Sequence, residues 1–114
     1  VIYEFSFAYY NKDSDPYCSF IFYIDSDEVT QARFAVGGQY NKGIHTFKWG
    51  INIGGSADTT AGRLASWTSS KTLKIQAHAY SNSREAELFK TQHWTGPNTA
   101  GVFSCPSIGI TAIG

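Results

Sequence analysis

Apolar and polar residues alternate from the first positions of the chain. Tyr3, Phe5, Phe7 and Tyr9 fall on one side, and Glu4, Ser6 and Ala8 on the other. A period of two is the strand period. Turn formers in "NKDSDP" (11–16) break it. In the next run Phe20, Phe22 and Ile24 alternate with Ile21 and Tyr23, so both faces are apolar. Such a strand needs cover on both sides, from a second sheet, a helix or another subunit. "DSDE" (25–28) reads as a hairpin turn.

Residues 29–36 alternate again, Thr30, Ala32, Phe34 and Val36 against Gln31, Arg33 and Ala35, and predict a strand. A loop over 37–43 follows, then a strand over 45–55 in which Phe47, Trp49, Ile51 and Ile53 share the core face. The small residues of 56–62 form a loop. Arg63–Trp67 predicts a short strand, and 68–71 a turn. The cleanest alternation is "TLKIQAHAYS" (72–81), with Leu73, Ile75, Ala77 and Ala79 opposite Lys74, Gln76, His78 and Tyr80. A turn over 82–85 leads into a strand over 86–94, where Glu, Ala, Leu and Lys also suit a helix. "TGPNTAG" (95–101) reads as a loop, "VFSC" (102–105) as a short strand and 106–114 as the last strand. About eight or nine short strands, with turn signals between them and no strong helical period, predict an all-β fold. The expected architecture is an antiparallel β-sandwich of jelly-roll type, and residues 1–114 form a single domain.

Composition narrows the partners. Charged residues are 16% of the chain, against about a quarter in an ordinary domain. Nine basic residues balance nine acidic ones, with no basic cluster, so no nucleic-acid partner is expected. A surface so poor in charge points to cover by identical copies. No apolar run approaches the roughly 18 residues of a spanning helix, so no membrane insertion is expected. The chain begins at Val1 and contains no Met, which reads as a domain of a longer protein. Cys18 and Cys105 stand far apart and fit neither a zinc site nor a CxxC redox site. They are either paired or free.

The motifs of nucleophilic, metal-dependent and nucleotide-dependent enzymes are absent: no HExxH, GxSxG, P-loop or GxGxxG occurs. Neither catalysis nor a cofactor is expected. Asp25 with Asp27, and Glu85 with Glu87, have the makings of a glycosidase pair, but both pairs lie at turns, where acids are common. Asp13, Asp15, Asp25 and Asp27 offer oxygen ligands of the kind calcium takes, yet "NKDSDP" lacks the Gly and terminal Glu of an EF-hand loop, and no metal site is assigned. Aromatic residues beside polar loops are the stronger lead. An aromatic plate covers the apolar C–H face of a sugar while polar neighbours take its hydroxyls. Trp94 follows His93 and precedes "TGPN"; Trp67 opens onto "TSS"; Tyr40 lies in "GGQYNKG"; Tyr80 leads into "SNSR", which carries Arg84. These six residues, Trp94, His93, Trp67, Tyr80, Arg84 and Tyr40, are the candidate ligand-binding set. Each aromatic among them also suits a core or a subunit interface.

An aromatic first strand, an apolar strand ending "YIDSDEV", then "HTFKWGINI", "LKIQAHAYS" and a final strand that closes the chain make an order that resembles the C-terminal tip domains of phage tail fibres and related bacterial adhesive fibres. Those tips resemble the jelly rolls of tumour-necrosis-factor-like trimers. The resemblance implies a homotrimeric, non-enzymatic adhesin on a virion or cell surface, or otherwise extracellular. It implies recognition of a cell-surface glycan or glycoprotein by outer loops or clefts between subunits. No binding residue carries over, because such tips vary most where they bind. In a jelly roll the first and last strands commonly pair antiparallel, which would bring Cys105 towards Cys18 and make a disulfide geometrically open. The terminal strand, with Ile108 and Ile110 on one side and Ile113 on the other, is then expected as a buried inner strand near the subunit axis. The alternatives are a secreted β-sandwich lectin or carbohydrate-binding module acting as monomer or dimer, and a viral coat protrusion domain.

Overall fold

The longest strand, β1 (Ile2–Asn11), has partners along both edges. The computed structural model describes residues 1–11, 18–38, 41–79, 86–89, 91–104 and 106–113. The remaining strands are β2 (Cys18–Ile24), β3 (Asp27–Glu28), β4 (Phe34–Val36), β5 (Lys42–Gly50), β6 (Leu73–Ala79), β7 (Ala86–Leu88), β8 (Thr91–Gly96), β9 (Thr99–Phe103) and β10 (Ser107–Thr111). Among the described residues there are thus ten strands and no α-helix. Every pairing between them is antiparallel.

In the first sheet β5 runs along one edge of β1, from Ile2 opposite Gly50 to Tyr10 opposite Lys42. The other edge is shared. Strand β10 takes Ile2–Ser6, in register Ile2↔Thr111 to Ser6↔Ser107, and β7 takes Tyr9–Asn11. First and last strands therefore pair antiparallel, as expected. In the second sheet β6 runs along the whole of β2, while β3 and β4 divide its other edge. The hairpin β8–β9 lies against β1 and β5.

The two sheets face each other through aromatic rings, the β-sandwich the alternation predicts. Tyr3 stacks on Phe22 with ring centroids 5.5 Å apart, Phe7 meets Phe20 at 5.1 Å, and Phe34 stacks on Phe47 at 5.1 Å. Such pairs contribute about 0.5–1.5 kcal/mol each beyond their buried area. Ile24, Val29 and Ile51 close one half of the core, and Cys18 and Val36 the other. Asn11 ends β1 fully buried, and its side-chain amide has no partner among the described residues. An unpaired buried amide costs about 1–3 kcal/mol.

Five segments depart from the sequence reading: the strand expected over 45–55 runs instead from Lys42 to Gly50 and leaves Ile53 48% exposed, and four others differ as follows. Residues 29–36 do not form one strand: Thr30–Ala32 is a 3₁₀ turn and only Phe34–Val36 is extended. The Val29 amide donates to the Phe22 carbonyl and the Ala32 amide back to Val29, so the chain steps from the β3 position to the β4 position along β2. Arg33 brackets this step with a two-pronged contact to Glu28, Nε to Oε1 at 2.6 Å and Nη2 to Oε2 at 3.1 Å. Arg63–Trp67 is not a strand but makes only isolated bridges, Ile53↔Leu64 and Asp58↔Arg63. Residues 86–94 break at Phe89, whose φ is +61°, giving β7 and β8. The loop expected over 95–101 shrinks to a turn at Pro97 and Asn98. Proline supplies the first φ and Asn98 the left-handed second one, +57°.

Strand β10 is also not buried within the chain. Ile110 stands opposite Tyr3 and Ile108 opposite Phe5, so both side chains belong to the core side of the first sheet. They lie past the reach of the second sheet and are 56% and 72% exposed, with Ile113 at 68%.

Candidate functional site

Residues 54–66 fold back on themselves over one end of the core. Asp58 organises the turn: its Oδ1 accepts from the Thr60 hydroxyl at 2.7 Å and from the Thr60 and Ala61 amides at 3.1 and 3.4 Å. The Thr60 hydroxyl is the main reason its carboxyl is held below the usual range. Asp58 and Arg63 exchange backbone hydrogen bonds at 3.1 and 2.9 Å, and Leu64 links to Asn52 and Gly54. Two contacts fasten this flap to the body. The Gln31 amide donates to the Thr60 carbonyl, and the Trp49 indole N–H donates to the Ala61 carbonyl at 3.3 Å. Gly62, with φ +75°, lies so close to the core that an added Cβ would stand 3.2 Å from Val29.

The facing wall is the β2–β3 turn. Asp25 takes a φ of +54° and exchanges two hydrogen bonds with Thr72, its amide to the Thr72 carbonyl and its Oδ1 from the Thr72 amide, both 2.8 Å. Its Oδ2 meets Lys71 Nζ at 3.2 Å. The Thr72 amide, then Lys71, hold its carboxyl low.

Between flap and turn lies a cavity of about 220 Å³. Buried Ile24, Val29 and Gly62 form its floor, and exposed Asp27, Thr59, Arg63 and Ser66 stand on its rim. Four charged side chains line it. Asp25 and Lys71 are committed to each other. Asp27 and Arg63 make no side-chain hydrogen bond or ion pair among the described residues, although the Arg63 charge is felt at Asp58. The site thus offers one acceptor group and one cationic donor group, both unspent, above an apolar base.

Lys71 lines a second hollow as well, with Tyr3, Leu73, Ile108 and Ile110. This is the open flank of the sandwich, between β10 and β6. Farther along, Ile75, Ala77, Leu88 and Phe89 line an apolar hollow over Phe5, Phe7 and Phe20.

Of the six sequence candidates, only Trp67 has its side chain among the described residues. Trp67 is half-buried against the core cluster that includes Tyr3 and Ile51, and the cavity is lined by its neighbour Ser66 instead. The backbones of His93 and Trp94 lie in β8, opposite Gly101 and Ala100; their side chains lie outside the described residues, as do Tyr40, Tyr80 and Arg84. His78 is exposed, as its strand face implies. Trp49 packs on the core as expected. His45 faces inward, stacked on Phe34 at 4.9 Å, and burial lowers its pKa. Cys18 is a free, buried thiol whose pKa burial raises; Cys105, and the acids Asp13, Asp15 and Glu85, lie outside the described residues. Among the described residues no three His, Cys, Asp or Glu side chains gather as metal ligands do. Asp27 and Arg63 escaped the sequence reading as partners, since they come from distant turns and follow no spacing rule.

In comparisons with known proteins the chain matches no family model, no curated protein and no solved structure.

Proposed function

We propose that this domain is a non-enzymatic receptor-binding module of an adhesive fibre, wound as a jelly roll, that recognises a cell-surface glycan as a homotrimer outside the cell or on a virion. One observation carries the reading: the cavity between the 54–66 flap and the β2–β3 turn, with Asp27 and Arg63 unspent on its rim. Sugar hydroxyls both donate and accept. A carboxylate accepts hydrogen bonds from them, a guanidinium donates to their oxygens, and the Ile24–Val29 floor suits the C–H face of the ring. The flap is fixed by its own hydrogen bonds, so little ordering is lost on binding.

Trimeric assembly draws on the open flank. Ile108 and Ile110 are exposed beside Leu73, and contiguous exposed apolar surface marks interaction sites. Lys71 borders both this flank and the charged cavity, so a copy seated on the flank would stand next to the ligand, in the subunit-cleft arrangement of fibre tips. A second reading, a lectin module acting as monomer or dimer, is favoured by the fact that one chain builds the whole cavity.

Light scattering and a glycan array separate the two. A trimer's mass together with glycan binding supports the fibre reading. A clean monomer at micromolar concentration that still binds glycan leaves only the lectin. Failure to bind any glycan overturns both.

A further inference from the structure

We infer that the cavity between the 54–66 flap and the β2–β3 turn takes a single acidic sugar unit, its carboxylate on Arg63 and its hydroxyls on Asp27. The inference rests on the glycan reading above and assigns the class of sugar within it.

Size sets the first limit. A volume of about 220 Å³ is below the roughly 300–1,000 Å³ of pockets that enclose drug-sized ligands, so the site accepts one ring of a glycan, not a stretch of chain. Charge sets the second. Of the four charged groups around the cavity, Asp25 and Lys71 neutralise each other at 3.2 Å, and Asp25 is further occupied by the Thr72 amide. What remains for a ligand is one anion and one cation, Asp27 and Arg63.

A neutral sugar answers half of this demand. Its hydroxyls donate well to Asp27, but they meet a guanidinium with weak, single acceptors. A carboxylate meets the same guanidinium with two parallel charge-assisted bonds, about twice as strong as neutral ones. A cationic ligand fits Asp27 and is repelled by Arg63. A ring bearing both a carboxylate and hydroxyl donors satisfies the two groups at once. Thr59 and Ser66, also on the rim, add hydroxyls that serve either partner.

The test is an array of glycans ending in hexuronic or other carboxylated sugars, each printed beside its carboxyl-reduced counterpart and probed with the intact chain at neutral pH. At least one acidic terminus is expected to bind about tenfold better than its reduced twin, with affinity falling as salt rises. Arg63→Gln should erase that preference, Arg63→Lys should keep part of it, and Asp27→Asn should weaken the acidic and reduced forms alike. Circular dichroism checks that each variant is folded. Equal binding of the paired glycans, or a preference that survives Arg63→Gln in a folded protein, overturns the acidic assignment while the glycan reading stands. No binding to acidic or neutral glycans overturns both.

Discussion

Gly62 and Trp49 meet so closely that one added methyl group would crowd the contact: a Cβ on Gly62 would stand 3.1 Å from the Trp49 indole nitrogen, the same nitrogen that donates to the Ala61 carbonyl at 3.3 Å. Gly62 also holds a φ of +75°, which other residues adopt only at a cost of about 1–3 kcal/mol. Gly62→Ala should lower stability by at least that amount and loosen the flap. Trp49→Phe keeps a ring against the core but loses the hydrogen bond, about 0.5–1.5 kcal/mol, together with part of the indole's packing. Urea unfolding measures both, and the order Gly62→Ala worse than Trp49→Phe is the expected result.

Core and flank should respond differently to truncation. Phe22 has no exposed surface and contacts both Tyr3 and Phe47. Phe22→Ala should cost about 3–5 kcal/mol, a large share of the roughly 5–15 kcal/mol that holds a domain together. Ile108, at 72% exposure, should tolerate Ile108→Ser within about 0.5 kcal/mol in the unfolding of the separate chain. If copies associate through this flank, the same variant lowers the particle mass read by light scattering. An unchanged trimer mass would remove the flank from the interface.

Acid should act in two stages. Burial lowers the His45 pKa, so below its ordinary value of 6.5 the unfolded chain takes up a proton that the folded one refuses. Stability therefore declines as pH falls from that point, and His45→Phe should remove this first stage. Asp25 is lowered from 3.8. Its contribution is complete above that value and fades as pH falls through the lower folded one. Asp25→Asn tolerates the same left-handed backbone and should reduce this second stage, which Asp58 and Glu28, also held low, share, in urea midpoints followed from pH 7 to 3.

The Cys18 thiol should resist alkylation in the folded protein, because burial both blocks it and raises its pKa. In urea without reductant it should react fully, read by peptide mass. Failure to react there would mean that Cys18 is bridged.

The parts of the fold legible in the sequence are those where alternation and pairing agree. β1, β2 and β6 appear where their period of two puts them; β1 and β2 bury an inner face, and β6 is half-buried at Leu73 and Ile75. Residues 29–36 alternate just as well, and Ala32 and Val36 are buried as expected. The backbone at 30–32 turns anyway, since β3 and β4 must share one edge of β2. Phe89 breaks a strand without Gly or Pro to announce it. The site was harder still. Loop aromatics are a reasonable lead, but Trp67 packs against the core cluster, as Leu64 and Leu73 do. The groups left free, Asp27 and Arg63, are defined by what their neighbours Asp25 and Asp58 have already claimed, which only the folded arrangement reveals.

The position of β1 has a consequence for how the chain reaches this state. Its partners are β5, β7 and β10, so the first of these ten strands to be synthesised is among the last to be fully paired. Until residues 86–111 arrive, one edge of β1 stays open with Tyr3, Phe5 and Phe7 on its surface. Pairing between such distant segments is slow, since loop closure precedes the contacts that reward it. During that delay β1 is an adhesive strand in its own right, and the yield of soluble protein should depend on temperature and chain concentration more than the finished sandwich would suggest.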